Sequence, residues 1–240
     1  MLVENNGTKI LKIFVFLPNL RLHFSYDIIQ KSLFLNHNHP MSSKLPSAVK
    51  QVSAFISNFF NPLTSIVLYM MYYSSVHFTW QQSISKFLPV ILILIVPVSL
   101  WIFWNVKTGR YSNMDVSNRS QRKSLYFFIA AALLSYLAYE YFKTSTIDLV
   151  IVFVMVLLIM MQISNYFIKS SMHTAFNVFV AALFFAQDPL LGFIWLGIAA
   201  LVGITRIILK RHTVSEVISG ACIALFVSFI YLYTHIQSQY

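Results

Sequence analysis

Acidic residues, glycine and cysteine are all scarce in this chain. Seven Asp+Glu stand against 17 Lys+Arg in 240 residues, and charged residues of both signs make up only 10%. An ordinary soluble domain carries about a quarter charged residues, so a soluble enzyme is nearly excluded. With 6 Gly, 7 Pro and no biased tract, collagen-like, linker-rich and disordered readings fall away. The single Cys222 lies inside an apolar run, which excludes a disulfide framework and a Cys-based metal site and leaves the redox compartment undetermined. What is abundant is apolar surface, at 58% hydrophobic residues. The net charge of +10 comes from cations that punctuate apolar segments. Their placement points to a bilayer with anionic headgroups or a phosphorylated substrate, and not to nucleic acid.

A hydrocarbon core about 30 Å thick takes roughly 17–25 apolar residues as helix. Seven runs approach that length, at residues 62–78, 87–105, 124–142, 147–163, 175–187, 190–204 and 217–235. Asp188-Pro189 between the fifth and sixth predicts a tight turn joining two antiparallel helices. The fold class expected is all-α, a polytopic integral membrane bundle of six or seven transmembrane helices, multi-pass and at home in a cell membrane. Residues 1–57 read as a polar, weakly apolar N-terminal segment and 58–240 as the membrane domain. Residues 1–40 lack the basic start, apolar centre and small-residue cleavage site of a secretory signal. Met41 is the expected natural start, and the nearby His37 and His39 read as part of a solvated loop. No internal repeat is visible, and oligomeric state is not read from the chain.

Three polar segments concentrate residues that are expensive near lipid. They are 107–123, with Asp115, Arg119 and Arg122; 169–174, with Ser171 and His173; and 205–216, with Arg206, His212 and Glu216. Two apolar runs separate the first from the second and two more separate the second from the third, so an even number of crossings returns all three to one end of the bundle. The opposite loops hold Gln81, Gln82, Lys86, Lys143 and Asp188 and no histidine cluster.

Within the third segment His212 and Glu216 stand at i and i+4, one turn apart on one helical face. A carboxylate there can accept from one imidazole nitrogen and leave the other oriented and more basic, the pairing that nucleophilic catalysis uses. Taken alone, a structural i,i+4 pair explains those two residues equally well. Arg206, six residues earlier, is suited to bidentate phosphate binding. Ser171 is a favoured N-cap before an apolar helix whose amides make an anion site. Lys107, Arg110, Lys123, Lys169, Lys210 and Arg211 read as headgroup-binding cations, Glu140 and Lys143 as an interfacial pair, and His77 and His235 as interfacial residues.

The spacing Arg206-x5-His212-x3-Glu216, followed by Val217-Ile218-Ser219-Gly220, resembles the third signature of the type-2 phosphatidic acid phosphatase family, SRxxxxxHxxxD. Ser171-Met172-His173 is similar to the second signature, PSGH, and Arg122 to the arginine closing the first, KxxxxxxRP. The resemblance extends over roughly residues 87–235. It implies a metal-independent reaction without cofactor, in which His212 attacks phosphorus to form a phosphohistidine and Glu216 orients it. It implies that His173 protonates the leaving oxygen and then activates water. Arg122, Arg206 and Ser171 would hold the phosphoryl oxygens. The substrate implied is a lipid phosphate monoester or diphosphate, such as phosphatidic acid, phosphatidylglycerol phosphate or polyprenyl diphosphate.

The departures from the signatures are specific. Glu216 replaces Asp, Ser170 and Met172 replace the Pro and Gly of the second signature, and Asp115 and Lys123 stand where the first has Lys and Pro. Arg119 or Lys107 is left to supply the missing cation. Two other readings stay open: a catalytically impaired relative that binds anionic phospholipid, and a small transporter or assembly factor. All 17 Lys+Arg except Lys86 and Lys143 fall on the N-terminal segment or the face of the three polar segments. The positive-inside rule then predicts a cytoplasmic site, whereas family members acting on lipid phosphates commonly face outward, and orientation stays open.

Overall fold

The computed structural model describes residues 46–116 and 118–237. Residues 1–40, the expected start at Met41 and the His37/His39 pair lie outside the described residues. The described residues form α1 (Ser47–Phe59), α2 (Pro62–His77), α3 (Trp80–Val90), a π-helical turn (Ile91–Ile95), α4 (Val96–Lys107), α5 (Arg119–Thr144), α6 (Leu149–Ser164), α7 (Met172–Phe185), α8 (Pro189–Ile208) and α9 (Val214–Gln237), with no strand among them.

All seven apolar runs fall on helices, and their ends follow local chemistry. Asn61, Thr79, Asp148, Ser171 and Asp188 accept from first-turn amides as N-caps. Asp188 caps α8 in front of Pro189, the turn anticipated between the antiparallel α7 and α8. Pro97 has no N–H to give Ile93, and the backbone widens into the π turn between Pro89 and Pro97 without breaking the helix. The stretch read as a polar leader is helical from Ser47, and α1 packs against α8.

Four helices are long and apolar enough to cross a membrane: Trp80–Lys107, Arg119–Thr144, Pro189–Ile208 and Val214–Gln237. The count becomes five if α1 and α2, bent by 58° at their junction, are one span. The expectation of six or seven spans is therefore not reached by length and composition, because Leu149–Ser164 and Met172–Phe185 are short. At 1.5 Å per residue a 14-residue helix covers only about 21 Å.

The shortest of these, α7, is buried from His173 to Phe184 among α2, α8 and α9. In lipid an apolar side chain gains nothing by leaving water, so close packing and buried hydrogen bonds hold the helices. Phe179 meets the Tyr231 ring of α9 edge-on, and Phe184 stacks on Trp195 of α8. Asn177, fully buried, accepts from Ser65 Oγ at 2.9 Å and donates to the Phe60 carbonyl at 2.8 Å, tying α7 to the start of α2. At the opposite end His77 Nε2 pairs with Gln187 Oε1 at 2.8 Å. Lys143 lies over the Tyr139 ring, and the expected Glu140–Lys143 pair is not formed among the described residues.

Candidate active site

The six-residue separation of Arg206 and His212 is set by the way α8 stops. Lys210 adopts a left-handed conformation, φ 55°, donating to the Ile207 carbonyl while Arg211 donates to that of Arg206, the two bonds of a Schellman turn. The chain reverses within four residues and delivers His212 back beside the α8 terminus, its own N–H on the Arg206 carbonyl at 3.3 Å. Immediately afterwards Thr213 starts α9 with a capping box. Glu216 N–H donates to Thr213 Oγ1 at 3.3 Å, and Thr213 N–H donates to Glu216 Oε2 at 3.2 Å. The same Oε2 stands 2.8 Å from His212 Nδ1. A glutamate suits both tasks, since its extra methylene reaches back to the cap amide while meeting the imidazole.

The second segment is fastened to this turn through backbone. Ser171 N–H donates to the Glu216 carbonyl at 2.9 Å, and Ser170 Oγ meets Ser219 Oγ at 2.7 Å. Gly220 permits the approach, because a Cβ there would lie 2.6 Å from the Ser171 carbonyl oxygen. The Ser171 hydroxyl is engaged in capping α7, accepting from Thr174 N and Oγ1, and His173 follows on the first turn.

From the first segment Arg122, 4% exposed, reaches into both others. Its Nε donates to the Val116 carbonyl at 3.0 Å, its Nη1 to the Ser170 carbonyl at 3.0 Å, and its Nη2 lies 3.3 Å from His212 Nε2. Arg206, 1% exposed, gives Nη1 to Ser57 Oγ at 3.0 Å and to Asp115 Oδ2 at 2.9 Å, while its Nε has no hydrogen-bond partner among the described residues. Asp115 Oδ1 is in turn 3.5 Å from His173 Nε2. Arg119 points elsewhere, donating through Nε to the Asn165 carbonyl at the end of α6.

Burial first, and then Arg122, Arg206 and Lys169, hold the His212 pKa down to about 2. The contact with Glu216 is therefore a hydrogen bond donated by a neutral imidazole, which leaves the Nε2 lone pair pointing at Arg122. Burial works against the charge on Asp115, but His173, Arg206 and Arg211 outweigh it and hold the carboxyl below its usual range.

The geometry thus brings together Arg122, Ser171, His173, Arg206, His212 and Glu216, and leaves Arg119 outside the cluster. Sequence reasoning missed three members. Ser57 belongs to α1, where Ser53 and Ser57 at i and i+4 are both buried, a spacing that was legible. Lys169 stands 3.9 Å from Glu216 Oε2. Asp115 was placed in the first polar segment but given no role beyond standing where the signature has Lys.

Residues 164–240 match the family model of the PAP2 superfamily. No curated protein and no solved structure matches the chain. The matched region holds the second and third signatures, bearing out the resemblance to the phosphatidic acid phosphatases. PAP2 superfamily members are for the most part phosphatases or haloperoxidases, so the match supports a phosphoric-ester hydrolase, and with the apolar helices a multi-pass membrane protein. Arg122 lies outside the matched residues and enters the cluster by contact alone.

Proposed function

We propose that this PAP2-like protein hydrolyses a lipid phosphate monoester or diphosphate, with phosphatidic acid, phosphatidylglycerol phosphate and polyprenyl diphosphate as the candidate substrates. The observation that carries the reading is His212, neutral, held by Glu216 through Nδ1 and turned through Nε2 toward a guanidinium that can take phosphoryl oxygens. Phosphoryl transfer needs positioning and charge stabilisation above all, and Arg122 and Arg206 supply both.

His212 Nε2 attacks phosphorus, the bond to the lipid oxygen breaks, and His173 protonates that oxygen. His173 then takes a proton from water as the water oxygen bonds to phosphorus and the P–N bond breaks, releasing inorganic phosphate. Ser171 contributes through the capped helix start, its oxygen accepting from Thr174 while its O–H is left to donate to a phosphoryl oxygen. An open cleft of about 320 Å³ between α1 and α8 is lined by Val52, Ile56, Leu201, Ile204 and Thr205, the residue before Arg206, and suits a hydrocarbon tail.

In this reading α6 and α7 also cross, with α1 and α2 as one broken span, giving seven crossings and a site at one membrane face. The test is phosphate release by detergent-purified protein, with chelator present, over a panel of lipid phosphates. Release by the wild type that His212→Ala abolishes is expected, and a rate unchanged by that substitution defeats the assignment. One observation favours a second reading, a relative that binds anionic phospholipid without turnover: Asp115 stands at the position of the signature lysine and engages Arg206. Binding without release across the panel would select it.

A further inference from the structure

The carboxylate of Asp115 sits between two groups that the proposed reaction uses. One oxygen is 2.9 Å from Arg206 Nη1 and the other 3.5 Å from His173 Nε2. Its backbone is held there at a cost. Val116, the next residue, is β-branched, 1% exposed and at φ 46°, a conformation such residues rarely adopt. The Val116 side chain packs with Tyr111 and Leu125, and its carbonyl accepts from Arg122 Nε. The residue after Asp115 is thus pinned twice, by a core contact and by a residue of the site itself.

We propose that Asp115 is the positioning residue of His173, forming a second histidine–carboxylate pair beside His212–Glu216. The inference rests on the phosphatase reading and deepens it. An imidazole that must protonate a leaving oxygen has to hold a proton. His173 is buried and faces Arg206 of α8, Arg122 of α5 and the His212 turn, with Asp115 as the carboxylate set against it. Asp115 opposes the two guanidinium charges and holds the ring through Nε2. Nδ1, which makes no hydrogen bond with a described residue, is left for the leaving oxygen. The carboxylate stays ionised throughout: the proton passes from His173 to the lipid oxygen as the P–O bond breaks, and returns to His173 from water as the phosphohistidine is hydrolysed. Arg206 keeps Nη1 on Asp115 and Ser57, and its unpartnered Nε edge is the one available to phosphate.

The experiment compares wild type, Asp115→Asn, Asp115→Glu and His212→Ala, as full chains in detergent, on phosphatidic acid and on 4-nitrophenyl phosphate. An alkoxide leaves only with a proton, whereas 4-nitrophenolate leaves without one. Asp115→Asn is expected to lower kcat on phosphatidic acid about 100-fold, the scale of general-acid catalysis, with KM little changed and the first-turnover burst of 4-nitrophenolate nearly intact, since only the later turnovers need His173 to activate water. Asp115→Glu restores much of the lost rate. Equal losses in phosphatidic acid cleavage and in the 4-nitrophenolate burst, or phosphatidic acid turnover unchanged or raised by Asp115→Asn, overturn the proposal. Modification of His173 by diethyl pyrocarbonate near pH 6.5, followed by mass spectrometry, reads the pairing without turnover. Asp115→Asn is expected to speed it, because Nε2 loses the carboxylate set against it, and an unchanged rate overturns the pairing. If the wild type hydrolyses neither ester, the phosphatase reading fails while the labelling still decides whether Asp115 holds the His173 ring.

Discussion

His212 is pulled in opposite directions, by Glu216 toward the protonated form and by burial and three cations toward the neutral one, and the neutral form wins. This has a consequence for stability. The unfolded imidazole takes up a proton below about pH 6.5, whereas the native one stays neutral until about pH 2, so the contribution is intact above pH 6.5 and falls as the pH drops. By about pH 5 the loss from this residue alone is about 2 kcal/mol. Thermal unfolding in detergent at pH 7.5 and pH 5 is expected to show a smaller acid-induced drop for His212→Asn than for wild type. Glu216→Gln keeps a hydrogen-bond acceptor near Nδ1 but not the charge that stabilises the imidazole as it attacks, and a fall in kcat of about 10–100-fold is expected from initial rates. At this scale the sequence was legible where partners are close along the chain. The i,i+4 pair of His212 and Glu216 needed only helical spacing. The meeting of Asp115 with Arg206 and His173, 91 and 58 positions away, depends on three loops docking and has no local trace.

Elements carry the spacing of the site. The Schellman turn and the capping box fix Arg206, His212 and Glu216 within one reversal of chain, so that signature is a statement about a helix stop followed by a helix start. The small residues after Glu216 belong to the same logic: Ser219 and Gly220 let α9 touch the backbone ahead of α7. Gly220→Ala puts a methyl group against the Ser171 carbonyl, which is backbone and cannot rotate away. Overpacking of this kind costs about 1–3 kcal/mol, and the shift separates Ser171 and His173 from His212. Activity is expected to fall more steeply than the melting temperature. Gly197→Ala, where a Cβ meets nothing within 4 Å, is the matched control expected to leave activity unchanged without lowering the melting temperature. The apolar runs predicted the helices because sustained hydropathy has few other uses. The ends were less legible: α7 begins at Met172 and not at 175, because Ser171 caps it and extends the helix through polar His173 and Thr174. The helical α1 escaped notice because its pattern is mixed, with buried serines facing α8 and Phe55 and Phe59 exposed.

At the scale of the whole molecule, the convergence of three distant segments needs the chain to alternate direction between them. The contacts of Arg122, Ser170, His212 and Asp115 put the start of α5, the start of α7 and the α8–α9 turn at one end, and His77 with Gln187 ties the other. Seven crossings satisfy this alternation, whereas five candidate spans by length do not by themselves require it, since α6 and α7 fall short of a bilayer's thickness. A short helix wrapped by longer neighbours need not match the lipid, because its ends meet protein and water and not hydrocarbon. Single cysteines introduced in a Cys222→Ser background separate the two cases. In vesicles of known orientation, Thr108→Cys and Tyr166→Cys are expected to react with a membrane-impermeant maleimide from one side. Gln81→Cys, Thr146→Cys and Gln187→Cys are expected to react from the other. Labelling of Tyr166 and Gln187 from the same side would mean that α7 does not cross. The side on which Thr108 reacts then reads the orientation of the site directly, independently of the positive-inside bias, to which the proposed phosphate-binding Arg122 and Arg206 contribute.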